Sequence, residues 1–248
     1  QHLGNDRLLM GDVTMGPMGS RETDFSNPGW APEGIFRTTG MLAESFEIPN
    51  DQTIIFKIRK GVYWHNKAPV NGRQLTAEDI VYSIKYMYLN PDYPLTYNMI
   101  TAPGGNKLLS AEIDPNDPWT VIVKVEGIAW GFLEDLGVKG VHVIAHESIK
   151  EHGDLLDWKS QLGTGGFMLT DYVAESSYTF VKNPHYWLTN PIGKGKGDQL
   201  PYADGVKVLI IKDKSTVQSA LRTGKVDAMG EWGHATKKED MDSILGTN

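Results

Sequence analysis

Apolar and polar side chains alternate from Thr53 to Arg59, with Ile54, Phe56 and Ile58 set against Thr53, Ile55, Lys57 and Arg59. A period of two predicts a half-buried strand. The turn signal Pro49-Asn50-Asp51 just before it predicts a hairpin with the segment at 42–48. The period lengthens after Thr76. Ile80, Val81, Ile84, Met87 and Tyr88 share one helical face, until Asn90-Pro91 ends the helix. Thr76 and Asp79 stand three apart at its start, a capping-box spacing with Asp where Glu or Gln is usual.

Further on, Pro118 to Val125 alternates as a second strand, and Ile128 to Leu136 reads as a short helix carrying Phe132, Leu133 and Leu136. Val141 to Ala145 is expected to be a strand, and Ser148 to His152 a brief helix closed by Gly153. Two strands are expected around Met168–Tyr172 and Tyr178–Lys182. Val206 to Ile211 is nearly all apolar, the mark of a strand buried on both faces. Ser215 and Gln218 form a second capping-box pair for a helix through Arg222, Gly224 stops it, and Val226 to Met229 starts another strand. That strand-helix-strand unit is expected to be parallel and right-handed. Residues 1–40 carry too many Gly, Pro and Met residues for long regular elements, apart from Asp6 to Met10. Together these elements make the class α/β with mixed sheets.

Composition narrows the functional classes. The 248 residues are 40% hydrophobic, 10% aromatic and 22% charged, as in an ordinary globular protein. A net charge of -7 and the lack of a Lys/Arg-rich run argue against nucleic-acid binding. No apolar run approaches the ~20 residues that span a bilayer. The absence of cysteine removes disulfides, thiolate nucleophiles and cysteine metal sites. The chain opens Gln1-His2-Leu3 without a leader and ends on a polar stretch, so it is expected to be a fragment whose signal peptide or lipid anchor would lie upstream.

Catalytic and cofactor motifs are sparse, and the expectation is a non-enzyme with no cofactor and no metal. His142 and His146 are four apart, with Glu147 adjacent and His152 beyond, but the HExxH order is missing. On a strand that spacing would separate the rings by roughly 13 Å, too far for one ion. There is no GxSxG. Gly163-Thr-Gly-Gly lacks the Lys-Ser/Thr of a phosphate loop, and Gly193-Lys-Gly-Lys-Gly reads as an exposed basic loop. The first glycine cluster fits a conformational role, because adjacent glycines permit positive φ, so Gly163, Thr164, Gly165 and Gly166 are expected at a hinge between domains. Aromatics are numerous, among them Tyr63-Trp64, Tyr93, Tyr97, Trp119 and Tyr186-Trp187. Most should serve the core, with a minority lining a ligand cleft.

Seven motifs in order carry a resemblance. They are Gly40-Met-Leu-Ala-Glu-Ser-Phe-Glu, Phe56-Lys-Ile-Arg-Lys-Gly-Val-Tyr-Trp-His, Leu75-Thr-Ala-Glu-Asp-Ile-Val, Gly163-Thr-Gly-Gly-Phe, Lys182-Asn-Pro-His-Tyr-Trp, Leu200-Pro-Tyr-Ala-Asp-Gly-Val and Ala220-Leu-Arg-Thr-Gly-Lys-Val-Asp-Ala. Across residues 40–229 the chain resembles the peptide/dipeptide/oligopeptide/nickel-binding family of ABC-transporter solute-binding proteins, family 5, in its N-terminal half. Gly166 stands where the family usually has proline, and the loop at 66–74 is longer than the common Asp-Gly-Lys-Pro.

The resemblance implies a periplasmic-binding-protein-like lobe built from residues 1–47 and 163–232. Residues 48–162 would be an inserted α/β subdomain, and 233–248 a crossover toward a second lobe missing from the chain. It implies a monomeric importer subunit, periplasmic or extracellular and lipid-anchored or free, that encloses a peptide by domain closure and delivers it to a membrane permease. Cleft contacts carried over from the family are Asp6, Arg7, Leu8, Tyr93 and Tyr97. The alternatives are an oligosaccharide or nickel-chelate receptor of the same family, or a glycoside hydrolase with aromatic subsites.

Overall fold

The computed structural model describes residues 3–16, 38–90, 107–129, 131–133 and 142–229. The predicted hairpin is there. Strand β3 (Ala43–Asn50) pairs antiparallel with β4 (Thr53–Ile58), which pairs in turn with β6 (Asp117–Glu126), and β6 with β5 (Lys107–Asp114). The sheet order is β3-β4-β6-β5. Its inner face follows from the alternation: Ile54, Phe56 and Ile58 are buried while Lys57 is exposed. Register places Ile54 opposite Val123 and Phe56 opposite Val121, so the buried faces of two strands coincide.

Helix α1 (Ala77–Leu89) covers that face with Ile80, Ile84, Met87 and Tyr88, all buried. The Asp79 carboxylate accepts from the Thr76 amide at 2.9 Å, the returning half of the predicted capping box. Tyr88 stacks on Phe132 with ring centroids 4.6 Å apart, which ties residues 131–133 to the helix. Burying each such large apolar side chain contributes about 1.5–3 kcal/mol before entropy is counted.

Residues 142–145 join no ladder, contrary to the strand expected at 141–145, of which Val141 lies outside the described residues. The Ile144 backbone goes to a helix instead: its amide donates to Ser83 Oγ at 2.8 Å, and Ser83 Oγ lies 2.6 Å from the Asp79 carbonyl. A buried backbone needs partners, and one serine on α1 supplies them without a neighbouring strand. Helix α2 (His146–His152) follows, closed by Gly153 at φ 82°.

The chain divides into two compact units, Gln1–Leu169 with Phe180–Val206, and Thr170–Thr179 with Lys207–Asn248. The first holds everything above, together with a short pair of β1 (Leu9–Gly11) and β2 (Thr38–Gly40). Strands β7 (Phe167–Val173), β8 (Ser177–Lys182) and β9 (Gly205–Leu209) make a third sheet in the order β7-β8-β9.

In the second unit three expectations change. Val208 and Leu209 on β9 are 39% and 45% exposed rather than buried on both faces, because no layer among the described residues covers them. Helix α3 (Lys214–Arg222) is capped by Asp213, whose side chain accepts from the Thr216 amide at 2.7 Å. Ser215 therefore sits inside the first turn instead of capping it. Aspartate caps as well as serine, and here it lies one residue before the helix. The Thr216 hydroxyl, with Ser215 behind it, holds the Asp213 carboxyl down to about 2. Gly224 stops the helix at φ 65° as expected, but residues 226–229 form no strand, so the parallel crossover is not completed within the described residues.

Candidate functional site

The segment Leu3–Gly11 threads between two other stretches of chain and is held mainly through its backbone. The Gly165 amide donates to the Gly4 carbonyl and the Phe167 amide to the Leu3 carbonyl, each at 3.0 Å. On its other side Leu42 donates to Arg7, and Met41 and Ala43 both donate to Leu8. Glycine is required at this crossing for proximity. A Cβ on Gly163 would fall inside the Gly4 carbonyl, and one on Gly165 would lie 2.6 Å from the Gly4 carbonyl carbon. Neither Gly163, Gly165 nor Gly166 has positive φ. The reason for glycine here is thus close backbone approach, not the φ freedom expected from the sequence.

Asp6 sits at the centre of this crossing, 3% exposed. Its carboxylate accepts from Trp187 Nε1 at 2.8 Å, Thr164 Oγ1 at 3.1 Å and the Tyr186 hydroxyl at 3.2 Å. Burial raises its pKa to about 6 despite these three donors, since burial acts against the charged form. Tyr186, pushed up in turn by burial and by the Asp6 charge, keeps its proton. Over Trp187 lies the Arg59 guanidinium, 4.8 Å from the ring centroid, and Arg59 Nε donates to the Met41 carbonyl. The result is a polar knot joining residues 4–8, 41–42, 59, 163–167 and 186–187.

His65 is the second buried polar centre, 2% exposed. Its Nε2 donates to the Gly165 carbonyl at 3.0 Å, and its Nδ1 accepts from the Gly163 amide at 3.3 Å. Those partners fix the neutral tautomer with the proton on Nε2. Burial lowers the pKa to about 4. The His65 amide also donates to the Gly163 carbonyl at 2.8 Å, so one residue grips the glycine segment three times. Asn183 Nδ2 shares the Gly165 carbonyl at 3.0 Å.

Of the residues assigned from sequence, Asp6, Arg7, Leu8, Gly163, Thr164, Gly165 and Gly166 therefore converge. Asp6, Arg7 and Leu8 are buried, Leu8 within the apolar core. Tyr93 and Tyr97 lie outside the described residues. Sequence reading missed His65, Tyr186 and Trp187 as partners of Asp6 and the glycines, although both motifs containing them were in view. Their convergence spans 180 positions for the Asp6–Tyr186 bond, which no local pattern encodes.

A third polar cluster surrounds Arg73. Its guanidinium donates to both Asp79 oxygens at 2.8 and 2.6 Å and to Glu147 Oε2 at 2.8 Å, with Nε on the other Glu147 oxygen. Asp79, His146 and Glu147 bring one ligand atom each within 4.8 Å of one another. Both carboxylates are already occupied by the guanidinium, which supplies the positive charge an ion would bring. Elsewhere an open depression of about 780 Å³ is lined by Asn50, Gln52, Leu109, Lys124 and Ile128 among others, and by none of the assigned residues. Among the described residues no helix is long and apolar enough to cross a membrane.

The model for bacterial extracellular solute-binding proteins, family 5, matches residues 37–243, and the chain belongs to that family. The dipeptide-binding protein of Escherichia coli is 30% identical over 164 residues, covering 60% of this chain and 30% of the relative. A di/tripeptide-binding protein of Pseudomonas aeruginosa is 26% identical over 168 residues, 62% of this chain and 31% of its own length. The chain thus spans about a third of the length of the curated relatives it matches.

Among solved structures, a dipeptide binding protein of a Pseudoalteromonas species in complex with Met-Leu aligns with all of this chain and 44% of its own, at TM-score 0.70 and 18% identity. The Campylobacter jejuni protein NikZ in complex with Ni(L-His) aligns with 91% of this chain and 37% of its own, at TM-score 0.64 and 19% identity. These likenesses establish a shared periplasmic-binding-protein-like α/β fold.

Proposed function

We propose that this chain is part of the substrate-binding component of an ABC importer, that the cargo is a short peptide, and that the protein is not an enzyme. The family match across residues 37–243 carries the reading, and the matched curated relatives are named as dipeptide- and di/tripeptide-binding proteins. Residues 1–47 and 163–232 would form the first lobe, 48–162 the inserted subdomain and 233–248 the way into a second lobe. In this reading the Asp6–Leu8 segment builds one cleft wall, with Tyr93 and Tyr97 contributing from the subdomain. Burial of Asp6 and Leu8 favours a role in fixing that wall over direct contact. Gly163–Gly166 would be the hinge. Closure around the peptide stabilises one conformation by differential affinity and presents it to the permease. The protein would act as a monomer outside the cytoplasm, free or held by a lipid anchor.

A nickel-chelate cargo is the second reading, because NikZ, solved in complex with Ni(L-His), shares the fold at TM-score 0.64. A thermal-shift screen of the full-length protein separates the two. A dipeptide at about 100 times its Kd should stabilise by about 2.7 kcal/mol, which shifts Tm by several degrees. A shift with nickel-histidine alone moves the cargo to the second reading, and turnover of any ligand overturns the non-enzyme assignment.

A further inference from the structure

The glycine segment is locked, and the lock contains a group that changes charge. His65 binds Gly163 and Gly165 through both ring nitrogens and binds Gly163 again through its own amide. Its Nδ1 must be an acceptor for this to hold, since the Gly163 amide can only donate. A proton added at Nδ1 sets two donors against each other at 3.3 Å, inside a pocket where the ring is 2% exposed. The acceptor cannot be replaced by solvent, so the Gly163 contact breaks or the ring leaves.

We propose that His65 is a proton-gated clamp on Gly163–Gly166, which holds the segment shut while the imidazole is neutral and frees it when the imidazole is charged. The assignment of this segment as the hinge rests on the proposed function; the clamp itself rests on the geometry. Burial keeps the imidazole neutral down to about pH 4 in the locked state. An exposed imidazole titrates near 6.5, so the unlocked state gains protons first as pH falls. Opening of the segment should become roughly tenfold more frequent for each pH unit below about 6.5.

The charged groups around the ring set the direction. Lys67, two residues on, opposes a second positive charge, and Asp157 faces Lys67 rather than His65. Asp6 reaches the same segment through Thr164, not through His65. None of these offers the imidazolium an acceptor at Nδ1. Glutamine is the non-titrating substitute, because its amide oxygen can accept from Gly163 while its nitrogen donates to Gly165.

The test uses the full-length protein without ligand. Exchange of the Gly163 amide, the one the imidazole accepts from, should speed up about tenfold per unit between pH 6.5 and 4.5 once corrected for the intrinsic pH dependence of exchange. His65→Gln should flatten that slope, and Asp6→Asn, which leaves the imidazole contacts in place, should keep it. The same slope in His65→Gln, or none in the wild type, overturns the proposal. If the variant does not fold, ring 15N shifts of the wild type decide: the proton on Nε2 and a pKa well under 6 support the clamp, and a pKa at 6.5 overturns it. Peptide binding is read separately, so loss of the transport reading would leave this result standing.

Discussion

Asp6 and His65 titrate in opposite senses at one crossing. The Asp6 carboxyl is raised to about 6, so the folded protein holds its proton where the unfolded chain has lost it. Stability from this group is complete below pH 3.8 and is lost as pH rises through about 6, a cost of about 3 kcal/mol by pH 7. His65 is lowered to about 4, so its contribution is complete above 6.5 and is lost as pH falls through about 4. The two slopes overlap and oppose between about 4 and 6. Urea midpoints of the wild type should therefore stay nearly level across that window. Asp6→Asn should become less stable on acidification by up to about 1.4 kcal/mol per pH unit. Its amide can still satisfy the site, with the oxygen accepting from Trp187 and Thr164 and the nitrogen donating to the Tyr186 hydroxyl. A variant whose pH profile superimposes on the wild type would refute the burial account. The sequence made Asp6 and the four residues of the glycine segment visible as special, but their partners were hidden, because contacts made across 98 to 181 positions leave no local periodicity.

At the scale of elements, Arg73 does the joining. It ties the Asp79 cap of α1 to Glu147 in the first turn of α2, and its face lies over Trp64, 5.6 Å from the ring centroid. Asp79 is 2% exposed, and Arg73 30%. Removing the guanidinium leaves a buried carboxylate without its cation, which costs about 3–5 kcal/mol for a fully buried pair and here, with Arg73 partly solvated, about 2–3 kcal/mol. Arg73→Ala should lower Tm by about 5–10 °C in a thermal melt, while Arg73→Lys, keeping charge but losing the bidentate fork, should recover only part. No change in Tm would show that the cluster is solvated decoration. Elements with a strong period were legible: β4, β6, α1 and the hairpin fell where alternation and the 3.6 repeat put them. Two of the failures share one cause. Residues 142–145 and β9 are apolar runs too short to show a period, so burial and pairing there depend on what lies alongside.

Across the whole molecule, the family was legible because seven motifs fall in order, and the match over residues 37–243 agrees. The motifs are mostly turns, caps and strand entries, which fix a fold; cargo is decided by cleft side chains, which they do not contain. The crossing at Gly4 has a further consequence, for assembly of the chain. Leu3–Leu8 is bound by hydrogen bonds on both flanks to stretches that come later in sequence, with two bonds to 165–167 and three to 41–43. It fills its place as a separate guest strand would, with Asp6 as the plug. A full-length protein lacking residues 1–16 should therefore keep an open slot, and a synthetic peptide of residues 1–16 added in trans should restore its Tm. The same peptide carrying Asp6→Ala should not. Equal rescue by both would show that the backbone bonds alone hold the strand. Such splitting would make the first strand an exchangeable part, open to labelled peptides that report on the crossing from inside.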